Sequence, residues 1–240
     1  MQAEIDAVDY SVPPQELEVR IARRTLARVY VRGSGVEVGA GTRPWPLPLG
    51  TSCFYGDVLD PDGLARYFSA TGSAYEGFID AQTFAGIPDQ AYDFSLSAHV
   101  LEHLVNPLGA IEAALRVVRP GGIVMFAIPD KRHTWDNPRP VTPLKHLISD
   151  YVTGGEDTRI DGCLEHIRYL HPQWAPPIPE EQHQEEATRL ANAKFDTHYH
   201  TWTSDTFIEM IEWVEGNLGG SILHKELVFN ENIAVLRKNM

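Results

Sequence analysis

Cysteine is scarce in this 240-residue chain, with only Cys53 and Cys163. Neither a CxxC pair nor a multi-cysteine pattern is present, which excludes a disulfide-stapled scaffold and a cysteine-built zinc module. Positive charge is also short: 20 Lys and Arg face 33 Asp and Glu, a formal net charge of −13. With no Lys/Arg run as a local exception, nucleic acid and anionic lipid are excluded as partners. No apolar run approaches the length of a membrane span. The stretch from Met1 to Pro14 is acidic and lacks the basic-then-apolar order of a signal peptide, so a cytoplasmic location is expected.

What is there suits an ordinary globular core: 43% of residues are hydrophobic and 22% charged. From Glu16 to Val31, Leu17, Ile21, Leu26 and Val29 recur among four arginines with amphipathic helix spacing. Val36 to Val38 reads as a short buried strand that runs into Gly39-Ala40-Gly41. Pro44-Trp45-Pro46-Leu47-Pro48 follows and excludes a regular helix, because proline fixes φ and removes donors.

Strands are expected at Thr51–Asp57, Tyr75–Ile79, Tyr92–Ala98 and Ile123–Ile128, with helices at Pro61–Ser69 and Pro107–Val118 and a turn at Pro120-Gly121-Gly122. Strands separated by connections in this way argue for a doubly wound parallel sheet. Past Pro129 the text turns rich in Pro, His, Trp and charge, with helical pieces at Pro143–Val152, Gly162–Leu170 and Pro179–Lys194. This reads as a cap over the sheet's carboxyl edge. Ser204 is expected to cap a helix through Val214, and Ile222–Phe229 with Ile233–Arg237 to close the sheet as a hairpin across Asn230-Glu231-Asn232.

The chemistry is carried by strand ends. Val36-Glu37-Val38-Gly39-Ala40-Gly41 brings two glycines to the sheet's carboxyl edge, where open α/β sheets bind ligands. A dinucleotide site would need a third glycine and a helix N-terminus for the pyrophosphate, but Arg43 and Pro44 follow. S-adenosylmethionine, which has no phosphate, does not depend on that dipole. Asp57 ends the second strand, where a carboxylate accepts ribose hydroxyls; Asp80 ends the third, where it accepts an adenine amine; His99 ends the fourth.

The runs VEVGAGTRP, IDAQTF and YDFSLSAHVLEHLVNPLGAIEAALRVVRPGGIVMFAIPD resemble successive motifs of the class I S-adenosylmethionine-dependent methyltransferases, in the subgroup described as methyltransferase type 11. The resemblance covers roughly residues 33 to 130. It implies a Rossmann-like, seven-stranded, mostly parallel sheet with a helical cap inserted after the fifth strand. It also implies that Glu37, Gly39 and Gly41 flank the methionine part of the cofactor, that Asp57 and Asp80 hold ribose and adenine, and that His99 and Val100 line the site. Arg43 and the proline-rich loop depart from the family pattern.

The chain then reads as one domain over 1–240: an N-terminal helix (1–32), a cofactor-binding core (33–130), a cap and substrate segment (131–200), and a closing helix with strands (201–240). The expected reaction is methyl transfer to a small acceptor such as a sugar hydroxyl. A non-catalytic binding module and a nucleotide-sugar or dinucleotide enzyme are the alternatives.

Histidine titrates in the range a hydroxyl acceptor's base requires. His133, in the loop after the fifth strand, and His200 are the candidate bases. His198 and His200, two apart in an extended segment, share a side and read either as a base with its orienter or as two metal ligands. No metal site is assigned, since nothing fixes a third ligand. His103 reads as a capping or packing residue. Trp135, Trp174 and Trp202 are candidates for the wall of a sugar pocket or for packing.

Overall fold

The structure is a computed structural model, and it describes residues 12–240. The acidic opening stretch therefore lies outside the described residues up to residue 11. Helix α1 (Pro14–Tyr30) leads into β1 (Ser34–Val38), β2 (Ser52–Asp57), α2 (Pro61–Phe68), the two-residue β3 (Gly77–Phe78), β4 (Tyr92–Ala98), α3 (Pro107–Val117) and β5 (Val118–Pro129). The cap follows with α4 (Leu144–Thr153), α5 (Thr158–Glu165) and α6 (His183–Asn192). Helix α7 (Ser204–Asn217) and strands β6 (Gly220–Val228) and β7 (Glu231–Lys238) complete the fold.

The strands form one seven-stranded sheet in the order β3-β2-β1-β4-β5-β7-β6. β1 pairs parallel with both β2 and β4, and only β7 runs against its neighbours. The spatial order reverses at β1 and β4, the switch point at which such sheets bind ligands.

Alternation along the strands divides the core in two. Val36, Val38, Phe126 and Ile128 pack under α3 and α7, whereas Phe94, Leu96, Met125 and Val235 pack on the α1 side with Leu26. Local chemistry fixes the helix starts: Asp60 and Asn106 each accept the amide three residues on, from Gly63 and Gly109, and a proline opens both helices.

The connection from β1 to β2 holds no helix. Trp45 and Leu47 are buried there instead, in the same cluster as Leu26 and Ala27 of α1. Proline makes the loop, and two large apolar side chains replace the apolar face a helix would have supplied.

Three expectations need correction. The turn at Pro120-Gly121-Gly122 lies inside an extended β5, with a register shift against β4 between Tyr92 and Phe94. Thr203, not Ser204, caps α7, because Thr203 and Thr206 form a reciprocal capping box. The hairpin turns at Phe229 and Asn230, one residue earlier than expected, since β7 already begins at Glu231.

The cap has its own small core of Cys163, Ile167, Ala187 and Ala191. It is tied to the sheet where the Tyr199 amide donates to the Glu102 carbonyl at 2.7 Å, and where Asp130 bridges Trp202.

Candidate active site

The carboxyl ends of β1, β2 and β4 lie side by side, and the glycines after β1 decide how closely their loops approach. Gly39 and Gly41 have φ of +68° and +53°. A Cβ on Gly39 would lie 2.4 Å from Val100 Cγ2, and one on Gly41 2.5 Å from the Phe68 ring. The loop after β1 is thus pressed between the loop after β4 and the end of α2. Gly39→Ala is expected to cost about 1–3 kcal/mol by combining a left-handed backbone with a clash. Adding Val100→Ala removes the clash alone and should recover part of the loss in urea unfolding. A Gly39→Ala variant as stable as the parent chain would contradict this account.

Asp57 stands at the end of β2, half-buried, with one oxygen accepting the Leu59 amide at 2.9 Å. Burial lifts its carboxyl above the usual range, partly offset by the Leu59 and Val58 amides. Asp80 accepts the Gln82 amide at 2.9 Å and the Thr83 hydroxyl at 3.0 Å, which shapes the loop after β3. Each of these oxygens keeps a second lone pair.

Glu37 is placed differently from its expected role beside the methionine part. It points to the α1 side of β1, opposite Val36 and Val38, and is 1% exposed. Both its oxygens accept the Trp45 amide, at 3.1 and 3.2 Å. It braces the proline-rich loop from beneath.

After β4 the chain turns through His99, whose φ is +55°. His99 Nε2 lies 2.8 Å from Glu231 Oε1, and its Nδ1 lies 3.4 Å from Glu102 Oε1. Burial pushes this imidazole down, but the two carboxylates outweigh it and lift it to about 9. His99 is therefore a fixed cation at neutral pH. Glu231 is held in turn by Arg23, whose Nε and Nη2 donate at 3.0 and 2.7 Å.

Beside His99, two histidines meet from distant parts of the chain. His103 and His198 stack edge to face with centroids 4.6 Å apart. His103 Nδ1 bonds Asp196 at 2.7 Å, and His198 Nδ1 bonds Asp136 at 2.5 Å. Arg139, itself buried, donates to Asp136 at 2.8 Å and fixes that carboxylate. Glu102, Asp136 and Asp196 were not singled out in the sequence. The adjacency of Glu102 and His103 was the one available signal.

His198 and His200 do not share a side, because the chain bends at Tyr199 between them. His200 turns into the interior against His146 and Asp150, with Nε2 3.4 Å from the Val105 carbonyl. Burial lowers its pKa to about 4, so it is neutral, and its side chain is wholly inaccessible. No acceptor reaches it, which removes His200 as a base. His133 is exposed after β5, with its ring 6.0 Å from that of Phe229 at the hairpin turn. Of the three tryptophans, Trp202 is core, while Trp135 and Trp174 are 54% and 62% exposed and pair edge to face at 6.3 Å. Trp135 also lies 5.7 Å from His198.

Among the described residues no helix is long and apolar enough to cross a membrane. A family model described as a methyltransferase domain matches residues 15–213. No curated protein matches the chain. Among solved structures, a methyltransferase from Thermotoga maritima described as S-adenosylmethionine-dependent aligns with a TM-score of 0.51 at 12% identity, covering 92% of this chain and 89% of its own. The N-methyltransferase NodS of Bradyrhizobium japonicum aligns at 0.50 and 12% identity, covering 95% and 98%. A Rhodobacter sphaeroides chain provisionally named a zinc-dependent alcohol dehydrogenase aligns at 0.55 and 16% identity, covering 100% and 97%. At such identities the solved structures show the fold alone, whereas the family model spans most of the sequence. The strand order, the glycine-ended β1 and that match agree: the chain belongs to the class I S-adenosylmethionine-dependent methyltransferases.

Proposed function

We propose that the protein transfers a methyl group from S-adenosylmethionine to a hydroxyl of a small acceptor, a sugar in particular. The observation that carries the acceptor class is the exposed Trp135–Trp174 pair beside His198. Exposed aromatic faces suit the C–H faces of a sugar ring, while the neighbouring His103–His198 pair offers polar contacts to its hydroxyls.

The cofactor supplies an electrophilic methyl group on a sulfonium. The chain's own residues hold and align. Asp57 takes ribose hydroxyls and Asp80 the adenine amine, while the left-handed turns at Gly39 and Gly41 shape the loop that flanks the methionine part. His99, locked between Glu102 and Glu231, fixes the loop after β4 at the edge where donor and acceptor meet. Alignment of this kind supplies up to roughly 7–11 kcal/mol in well-oriented systems. Activation of the acceptor is assigned to the His103–His198 pair, with Glu102 buried beneath it; His133, exposed against Phe229, stands at the flank of the site.

Calorimetric titration with S-adenosylhomocysteine tests the cofactor site. Binding in the micromolar range is expected, and Asp57→Ala should weaken it by about 1–3 kcal/mol through the lost ribose contact. An Asp57→Ala variant with unchanged affinity would remove that residue from the site. For the acceptor, Trp174→Ala is expected to raise KM for the acceptor sugar more than it lowers kcat.

One observation favours a binding module without chemistry: the Phe68 ring rests over Gly41, where the methionine part would lie. On that reading the parent chain fails to bind S-adenosylhomocysteine while Phe68→Ala binds it.

A further inference from the structure

Glu102 is completely buried, and beyond the pairing of Oε1 with His99 neither of its carboxylate oxygens has a hydrogen-bond partner. A buried carboxylate in that condition is costly unless something positive completes its shell. Its nearest cationic atom, His99 Nδ1, is 3.4 Å away. Ligand atoms of Glu102, His103 and His198 all lie within 4.8 Å of one another. Both histidines give Nδ1 to a carboxylate, His103 to Asp196 and His198 to Asp136, which leaves each Nε2 as the remaining ring nitrogen. An imidazole backed by a carboxylate in this manner is the outer-shell arrangement of metal-ligating histidines.

We propose that Glu102, His103 and His198 bind one divalent transition-metal cation of the zinc, cobalt or iron(II) kind beside the acceptor position. Two imidazoles and a carboxylate suit these cations, while magnesium and calcium favour all-oxygen shells. Ligand atoms around a metal at ~2.1 Å stand about 3.4 Å apart, so the three side chains close by roughly 1 Å on loading. Neither histidine sits within a long helix: His103 belongs to a single 3₁₀ turn and His198 to an irregular segment. Trp135, against His198, is 54% exposed, which places the group near the surface on that side.

The chemical consequence rests on the methyl-transfer reading. An acceptor hydroxyl entering an open position has its pKa lowered. Its proton passes to solvent, the oxygen forms the new C–O bond, and the S–CH₃ electron pair returns to sulfur, leaving S-adenosylhomocysteine. The second group of similar composition, His146, Asp150 and His200, differs in kind. Asp150 accepts the Thr158 hydroxyl at 2.5 Å, and His200 is closed inside the core.

The test is cobalt(II) titration of the chelator-treated full chain, with neither cofactor nor acceptor present, read by visible d–d absorption and by metal content. One equivalent per chain is expected. His198→Ala and Glu102→Gln should lose it, Asp136→Asn should weaken it about 10–100-fold, and His146→Ala should keep it. Circular dichroism establishes that each variant is folded, and Asp136→Asn carries the test if a ligand variant is not. No stoichiometric uptake by the folded parent chain overturns the proposal, as does uptake unaffected by both His198→Ala and Asp136→Asn. S-adenosylhomocysteine binding in the same samples separates the two readings. Cofactor binding without cobalt uptake ends the metal site and leaves methyl transfer standing; cobalt uptake without cofactor binding does the reverse.

Discussion

Trp45→Ala is expected to destabilise the protein by about 3–5 kcal/mol, among the largest effects a single truncation gives. The indole is wholly buried in the loop that stands where a helix would follow β1, and the Arg23 guanidinium lies 5.1 Å from its ring centroid. Its removal leaves a cavity between α1 and the sheet and deprives Arg23 of the face it covers. Trp45→Phe retains most of the apolar volume and should recover more than half of the loss. Urea unfolding of the three proteins decides the matter, and a cost below about 1 kcal/mol would mean that the loop collapses freely around the gap.

The second large effect concerns pH. Burial raises Glu37 from 4.5 to about 8, only partly offset by the Trp45 amide and the charge of Arg23. Between those values the folded chain holds a proton that the unfolded chain has released. The contribution is therefore fully present below about pH 4.5 and is lost as pH rises through about 8. Glu37→Gln removes the titration and keeps an oxygen for the Trp45 amide. The variant should match the parent near pH 4.5 and exceed it by a few kcal/mol near pH 8.5, each measured by urea unfolding. A stability difference that stays constant across this range would show that Glu37 does not titrate there.

Most of the sheet was legible because period and punctuation agreed. Tyr92–Ala98 alternates cleanly, and Asn106-Pro107 marks a helix start with both a cap and a fixed φ. The orientation of Glu37 was legible in principle too. A residue between two inward valines on a strand faces the other way, and the motif reading overrode that alternation. What escaped were contacts between segments far apart in the chain. Nothing local in Asp136 or Asp196 announces that each will back a histidine, since the pairing with His198 and His103 exists only once the cap lies over β4. The reading of His198 and His200 failed for a local reason: two-residue periodicity needs an extended backbone, and the bend at Tyr199 sends their rings into different surroundings.

The buried Arg23–Glu231 pair joins positions 208 residues apart. Because the ribosome makes the chain from its N-terminus, α1 emerges 208 residues before its ionic partner. Until β7 joins the sheet, the helix has neither that anchor nor the finished surface beneath it. Helix α1, first in order among the described helices, is then among the last to settle, and during that wait its apolar face is left without its partner surface.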